Sequence, residues 1–466
     1  MSLTSDAPAD APVATIDVLD PATGDVLGAI PAGDAAAADA AVRAARAAQP
    51  GWARTPAGER ARLLKDAARR LHDHVEELAA VQTAENGRPL AESRAGVEAG
   101  IGAIEQYAEL GPLHRGRALQ GDWAATDLMV HEPRGVVALL VPWNDPVALA
   151  CGQLAAALVT GNAVVLKPSE RTPLSTIRLV ELLDLGERLQ LLLGDARAGR
   201  PLAAHAGVDL VVHTGSVEAG RELGRICGAD LRKALLELGG KDALLVDADV
   251  DPGWAAEQAA SGAFANAGQL CTSVERVYVH EAVAERFVAA LVARAEALRV
   301  GPGNDAETDM GPLIDEAQRD RVERHVREAL RLGARLRTGG EALDRPGCFY
   351  APTVLDGCDD TMAVMREETF GPVAAVRAVA SFDEALAAAN GTVYGLAATV
   401  LTRDAATAQR AWRELRAGTV KVNAVWGGAP GGAAEPRKAS GTGFGYGPEL
   451  LDEMTTTKAV HLEAAP

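Results

Sequence analysis

The chain has 466 residues, 48% of them hydrophobic and only 4% aromatic, enough for a large core built mainly from Ala, Val and Leu. A formal net charge of −18 excludes non-specific binding to nucleic acid or to an anionic membrane, both of which need a basic surface. Five cysteines without CxxC or zinc-ligand spacing predict reduced thiols in a cytoplasm and no metal site.

In chain order, Ser2 to Pro12 is rich in Ala, Pro and Asp and reads as a frayed tail, not a targeting segment. No run of about twenty apolar residues follows, so no membrane span is expected. Residues 15–30 alternate around Asp20-Pro21-Ala22-Thr23-Gly24, which predicts a β-hairpin. Apolar spacing predicts helices over 35–48, 56–83 and 97–110. His72 and His74 on the second lie on different faces, so they share no metal. Residues 116–131 are short and strand-like, with Gly116 and Gly121 as turns. From Gly135 the pattern changes. Gly135 to Val141 is a continuous apolar run, as a buried parallel strand should be. Helices 146–160, 173–185, 198–206 and 216–227 then alternate with strands 162–167, 189–193, 208–213 and 233–238. That rhythm predicts an α/β fold with a doubly wound sheet, whose ligands bind at the carboxyl ends of the strands. Pro142-Trp143-Asn144, Lys167-Pro168-Ser169-Glu170 and His213-Thr214-Gly215-Ser216 all fall at those ends. A GxGxxG fingerprint is missing. Its nearest substitute, Gly215 to Gly220, opens a helix that either holds a phosphate at its N-terminus or is simply capped by Ser216.

A second α/β region starts near Lys241, with helices over 252–266, 282–299, 316–332, 382–390 and 405–416. Its strands are expected over 275–280, 334–338, 396–401 and 418–423. The stretch 427–447 is glycine-rich and reads as a long ordered loop. The alternating tail 455–463 is expected to add an edge strand to a partner. Cys271, in Gly268-Gln269-Leu270-Cys271-Thr272, suggests a thiolate nucleophile that needs activation, since a free thiol has a pKa of roughly 8.5. Read alone it is more often a small buried hydrophobe. Glu237, entering Leu238-Gly239-Gly240-Lys241, suggests a carboxylate base held nearby; read alone it ends a helix or a strand.

Six motifs in order make the chain resemble the aldehyde dehydrogenase superfamily, hydrolytic branch, from about residue 13 to 463. They are Pro-Trp-Asn at 142–144, Lys-Pro-Ser-Glu at 167–170, Thr-Gly-Ser at 214–216, Leu-Glu-Leu-Gly-Gly-Lys at 236–241, Gly-Gln-x-Cys at 268–271 and Glu-Glu-x-Phe-Gly-Pro-Val at 367–373. The resemblance implies a Rossmann-type coenzyme domain (1–115 and 134–239), an α/β catalytic domain (240–440) and a small β oligomerisation flap (116–133 and 441–466). It implies Cys271 as nucleophile, Asn144 as oxyanion donor and Glu237 as the base for hydrolysis of a thioester. It also implies a cofactor site of Pro142, Trp143, Lys167, Ser169, Glu170, Gly215, Ser216, Leu238, Glu368 and Phe370. A carboxylate at Glu170 repels a 2′-phosphate, which favours NAD over NADP. A homodimer or homotetramer is implied as well.

Several positions depart from the family pattern. Asp145 and Gly152 stand where aromatics of a substrate tunnel are common. Ala433-Ala434-Glu435-Pro436 replaces a Pro-Phe-Gly-Gly element, and Ala196 stands at a usual glycine. The tunnel is therefore expected from Asp145, Leu149, Gly152, Leu270, Thr272, Trp426 and Ala434, and is either wide or rebuilt around Trp426. Asp145 is expected to need a charge partner, which a donor group on a polar aldehyde would supply. Two other readings stay open: a CoA-acylating member, against which the retained Glu237 speaks, and a catalytically silent binding protein, against which Cys271, Glu237 and Asn144 speak.

Overall fold

A computed structural model describes residues 14–428 and 432–465; the tail Ser2 to Pro12 lies outside the described residues. The hairpin forms between Thr15–Leu19 and Val26–Pro31. Helices Ala35–Arg54, Ala57–His72, Val75–Asn86 and Leu90–Leu110 follow. The single helix expected over 56–83 is thus two. Asp73 and His74 interrupt it, His74 Nδ1 turning back to Arg70 O (2.8 Å), and the helix restarts at Val75. Apolar periodicity runs on across so short a break, so the pattern hides it.

The first large sheet has six strands in the order Gly441–Thr442, Lys233–Leu238, Leu210–Gly215, Val136–Leu140, Ala163–Lys167 and Leu189–Leu191. All pair in parallel except Gly441–Thr442. The chain moves outward from Val136–Leu140, then returns to its other side with Leu210–Gly215. At that reversal the connections diverge and leave a crevice beyond the carboxyl ends. Val136 to Leu139 are fully buried, which is why this strand reads as an unbroken apolar run. Helix Pro146–Val159 is buried on nearly every face. Gly100 lets helix Leu90–Leu110 approach it, because an added Cβ would lie 3.1 Å from Ala148 Cα and 3.2 Å from Cys151 Cβ.

The second sheet has seven strands in the order Arg335–Thr338, Thr353–Asp356, Val373–Val379, Val274–His280, Asp242–Val246, Ala397–Leu401 and Thr419–Val422. Only the first pair is antiparallel. Cys271 and the Glu367–Val373 motif immediately precede the neighbouring strands Val274–His280 and Val373–Val379. Gly239 to Lys241 likewise precede Asp242–Val246. The first sheet therefore offers its carboxyl ends, and the second its amino ends, to one shared space.

In the third sheet, Thr455–Glu463 pairs antiparallel with Ala125–Pro133, which also pairs with Arg117–Leu119. The tail expected to extend a partner thus finds its strand within its own chain. Gly441–Thr442 pairs with Leu236 and Glu237, and Leu450, Leu451 and Met454 join the core of the first sheet.

Candidate active site

The loop that carries Cys271 is held in a high-energy backbone form. Helix Pro252–Phe264 ends, and Asn266 and Ala267 take φ of +48° and +53°, left-handed values that cost a residue with a side chain. Gly268 follows at φ +72°, where an added Cβ would strike Gly371 O at 2.2 Å. Gln269 fastens the turn, donating to Asn266 O (3.0 Å) and Pro312 O (3.2 Å) and accepting from Ile314 N (2.9 Å). Cys271 is half-buried, as are Leu270 and Thr272 on either side. Burial, and then the carboxylates of Asp242, Glu237 and Glu368, push its thiol up to about 12.

Asn144, at the end of the Val136–Leu140 strand, is buried and donates from Nδ2 to Gln269 O (2.9 Å). An amide nitrogen has two hydrogens, so one remains to point elsewhere. Asn144 O receives Asn86 Nδ2 (3.3 Å) and Asn266 Nδ2 (3.4 Å). Glu237 is 9% exposed and accepts from Gly445 N (2.9 Å). Burial raises its carboxyl to about 8. Glu368 lies across the glycine pair and accepts from Gly240 N (3.0 Å), and a Cβ on Gly239 would meet its carboxylate at 2.4 Å. Burial first, then Glu275, raises Glu368 to about 7. Beneath it, the buried Lys241 ammonium contacts Glu275 and Thr369 Oγ1 (3.1 Å), and Glu275 accepts from Thr369 N (2.7 Å) and Phe370 N (2.9 Å). That network ties the Gly-Gly turn to the 367–373 motif.

Two clefts share a wall here. One, about 820 Å³ and open to solvent, brings together Pro142, Trp143, Asn144, Leu149, Gly215, Ser216, Glu237, Leu238, Cys271, Glu368 and Phe370. The other, about 1410 Å³, continues along the first sheet past Lys167, Ser169, Glu170 and the start of helix Val217–Ala229. All thirteen residues that the motifs single out for catalysis and cofactor binding line one cleft or both. Ser216 caps the helix, its Oγ accepting from Ala219 N (3.2 Å), and the residue also lines the cleft. Leu238 explains Gly220, where a Cβ would lie 2.4 Å from the leucine Cδ2. Trp143 meets Phe370 edge-on with centroids 5.4 Å apart, and Arg171 lies over Trp143.

The tunnel expectations fare differently. Only Leu149 lines these clefts; Asp145, Gly152, Leu270, Thr272, Trp426 and Ala434 lie outside them. Asp145 does not await a substrate's charge, because Arg88 is 2.8 Å from its Oδ2. Arg88 also holds Glu92 (3.2 Å), whose carboxylate accepts from Asn266 N (3.1 Å) in the cysteine loop. The volume at Gly152 is met by Tyr446, whose ring would lie 3.9 Å from an added Cβ. Tyr446 keeps 43% exposure and sits near Glu237, Cys271 and Asp145, so it faces open space close to the thiol. Trp426 gives its indole N–H to Ser261 Oγ (2.8 Å) on helix Pro252–Phe264.

Motif reasoning passes over several residues of the site. Arg171 follows the 167–170 motif directly, while Gln318 and Arg321, three apart on helix Glu316–Arg331, also reach the thiol cleft. Their i,i+3 spacing is the one signal the sequence offers, and many surface helices share it. Tyr446 stands in Gly443-Phe444-Gly445-Tyr446-Gly447, an aromatic–glycine alternation inside the stretch read only as a loop.

A family model for the aldehyde dehydrogenase family matches residues 8–460. Among solved structures, the fold superposes with a TM-score of 0.94 on betaine aldehyde dehydrogenase from Staphylococcus aureus in complex with NAD+, 33% identical over 97% of this chain and 92% of that one. It superposes equally, at 0.94, on a lactaldehyde dehydrogenase, 34% identical over 97% of this chain and 96% of that one.

Proposed function

The chain belongs to the aldehyde dehydrogenase family, and on that premise we propose that Cys271, Asn144 and Glu237 carry an NAD-dependent oxidation of an aldehyde to its carboxylic acid. The observation that carries this reading is the convergence of all three on one cleft, beside the cleft formed at the strand-order reversal. Asn144 directs its second amide hydrogen at the developing oxyanion while the first stays on Gln269 O. The Cys271 sulfur adds to the carbonyl and carries the substrate as thiohemiacetal, then as thioester. Its thiol is protonated at neutral pH, so a base must take that proton. Glu237, in the same cleft and raised to about 8, has the matching range. The same carboxylate then takes a proton from the water that hydrolyses the thioester.

The clefts fit NAD, which supplies the hydride acceptor when bound. The fit rests on a helix N-terminus at Ser216 and on an orphaned buried ring, His213, whose two nitrogens have no partner. Gly199 also leaves room: an added Cβ would crowd the Lys167 methylenes at 3.3 Å. Lys167 and Glu170 would hold the adenosine ribose, Ser216 the pyrophosphate, and Glu368 and Phe370 the nicotinamide ribose and ring. We assign residues 1–115 and 134–239 to the coenzyme half and 240–440 to the catalytic half. We place the protein in a reducing compartment, in keeping with five unpaired cysteines. We also read it as a homodimer or homotetramer, because Leu119, Leu462 and the fully exposed Trp123 lie on or beside the three-stranded sheet.

NADH release from a panel of aldehydes, with and without CoA, tests the reaction. Cys271→Ala should abolish turnover and leave NAD affinity within a few-fold. Wild-type-like turnover in that variant would refute the nucleophile, and acceleration by CoA would move the protein to the acylating branch.

A further inference from the structure

Far from the thiol, two histidines and an aspartate meet where the three-stranded sheet joins the body. His114 follows the short turn Gly111–Leu113 at the end of helix Leu90–Leu110, His131 lies on strand Ala125–Pro133, and Asp452 lies on the short helix Glu449–Glu453. One ligand atom from each lies within 4.8 Å of the other two, a grouping of three found here alone among the described residues. His114 Nε2 is 2.8 Å from Asp452 Oδ1, and the two imidazoles lie with centroids 4.2 Å apart. The His114 side chain is 13% exposed and that of Asp452 66%, so a ring is packed in place while the carboxylate opens to solvent. The Thr455 hydroxyl gives its proton to Leu451 O (2.9 Å) and lies 3.4 Å from His131 Nδ1.

We propose that His114, His131 and Asp452 bind one divalent transition-metal ion of the zinc type, with water completing a four-coordinate shell. Two imidazoles and a carboxylate are a donor set that zinc takes at about 2.0–2.2 Å. Tetrahedral ligand atoms at those bond lengths lie roughly 3.3 Å apart. His114 and Asp452 therefore part slightly as the ion displaces the proton between them, and His131 closes in. Magnesium and calcium prefer oxygen donors and are disfavoured. The Thr455 hydroxyl orients one ligand from outside the shell. Arg117, which donates to Met129 Sδ (3.3 Å), is the opposing charge and weakens cation binding. The ligands come from three separate stretches of chain, which is why no ligand spacing marks them in the sequence. An ion here staples the three-stranded sheet to the helices beneath it.

The test titrates zinc alone into the full chain, free of any affinity tag and stripped with a chelator, by isothermal calorimetry. One ion per chain at micromolar Kd is expected, with a melting temperature that rises on adding zinc. Asp452→Asn, at an exposed position that leaves the fold intact, and His131→Gln should each weaken binding by tenfold or more, since losing even an outer partner costs about 10- to 100-fold. Cobalt(II) separates this site from the catalytic thiol, because imidazole and carboxylate give only weak visible bands whereas a thiolate adds intense charge transfer. No micromolar binding, unchanged affinity in both variants, or a thiolate band at one equivalent would each overturn the proposal.

Discussion

At the scale of single residues, the chemistry turns on carboxyl groups whose surroundings set them apart. Burial holds the Glu237 carboxyl near 8, above its ordinary range. It is protonated and inert as a base below that pH, so the hydrolytic limb should rise as pH increases toward about 8 and level above it. Glu237→Gln should remove that limb and give a burst of NADH followed by slow turnover; stopped-flow absorbance reads both. Arg88 has the opposite task. It answers Asp145, which follows Asn144, and Glu92 beneath the cysteine loop. Arg88→Met leaves two mostly buried carboxylates unpaired, which should cost about 3 kcal/mol or more in urea unfolding. It should also lower kcat while leaving NAD affinity unchanged. If kcat holds, the triad serves stability alone. Asn144, Glu237 and Cys271 were legible because each sits in a short motif at the end of a strand. Arg88, Glu92 and Tyr446 were not, because their partners lie far along the chain and only the fold shows them. Asp145 misled for the same reason: a lone carboxylate gives no sign of the arginine that meets it.

At the scale of elements, alternating strands and helices could be read closely from period alone. Four strands escaped: Asp242–Val246 merges with the glycine turn before it, Thr353–Asp356 has only four residues, Val373–Val379 is hidden behind the motif that precedes it, and Gly441–Thr442 has two residues inside a glycine-rich stretch. What the period cannot show is how loops fit together. Gly268 and Gly371, from two separate motifs, touch so closely that neither loop holds its shape without the other. Gly268→Ala should therefore abolish aldehyde oxidation through a 2.2 Å clash with Gly371 O and a left-handed φ. Circular dichroism should still report a folded chain. An active variant would show that the loop relaxes at little cost.

At the scale of the whole molecule, two sheets present opposite ends to one cleft, and a third sheet leaves an edge strand, Thr455–Glu463, with no partner on its outer side among the described residues. Trp123→Arg together with Leu462→Lys should shift the light-scattering mass toward a monomer; an unchanged mass would place the subunit contact elsewhere. The closing stretch of chain also fixes an order of events. Gly445 N holds Glu237, Gly441–Thr442 completes the first sheet, and Thr455–Glu463 covers Ala125–Pro133. A ribosome makes all three receiving elements hundreds of residues before their partners. During translation the early half therefore waits with two open strand edges and an unanchored base, exposed to strand addition by neighbouring nascent chains. The site is assembled only after residues 441–463 have been made, and chains that stall short of residue 441 should need chaperone cover that longer chains do not.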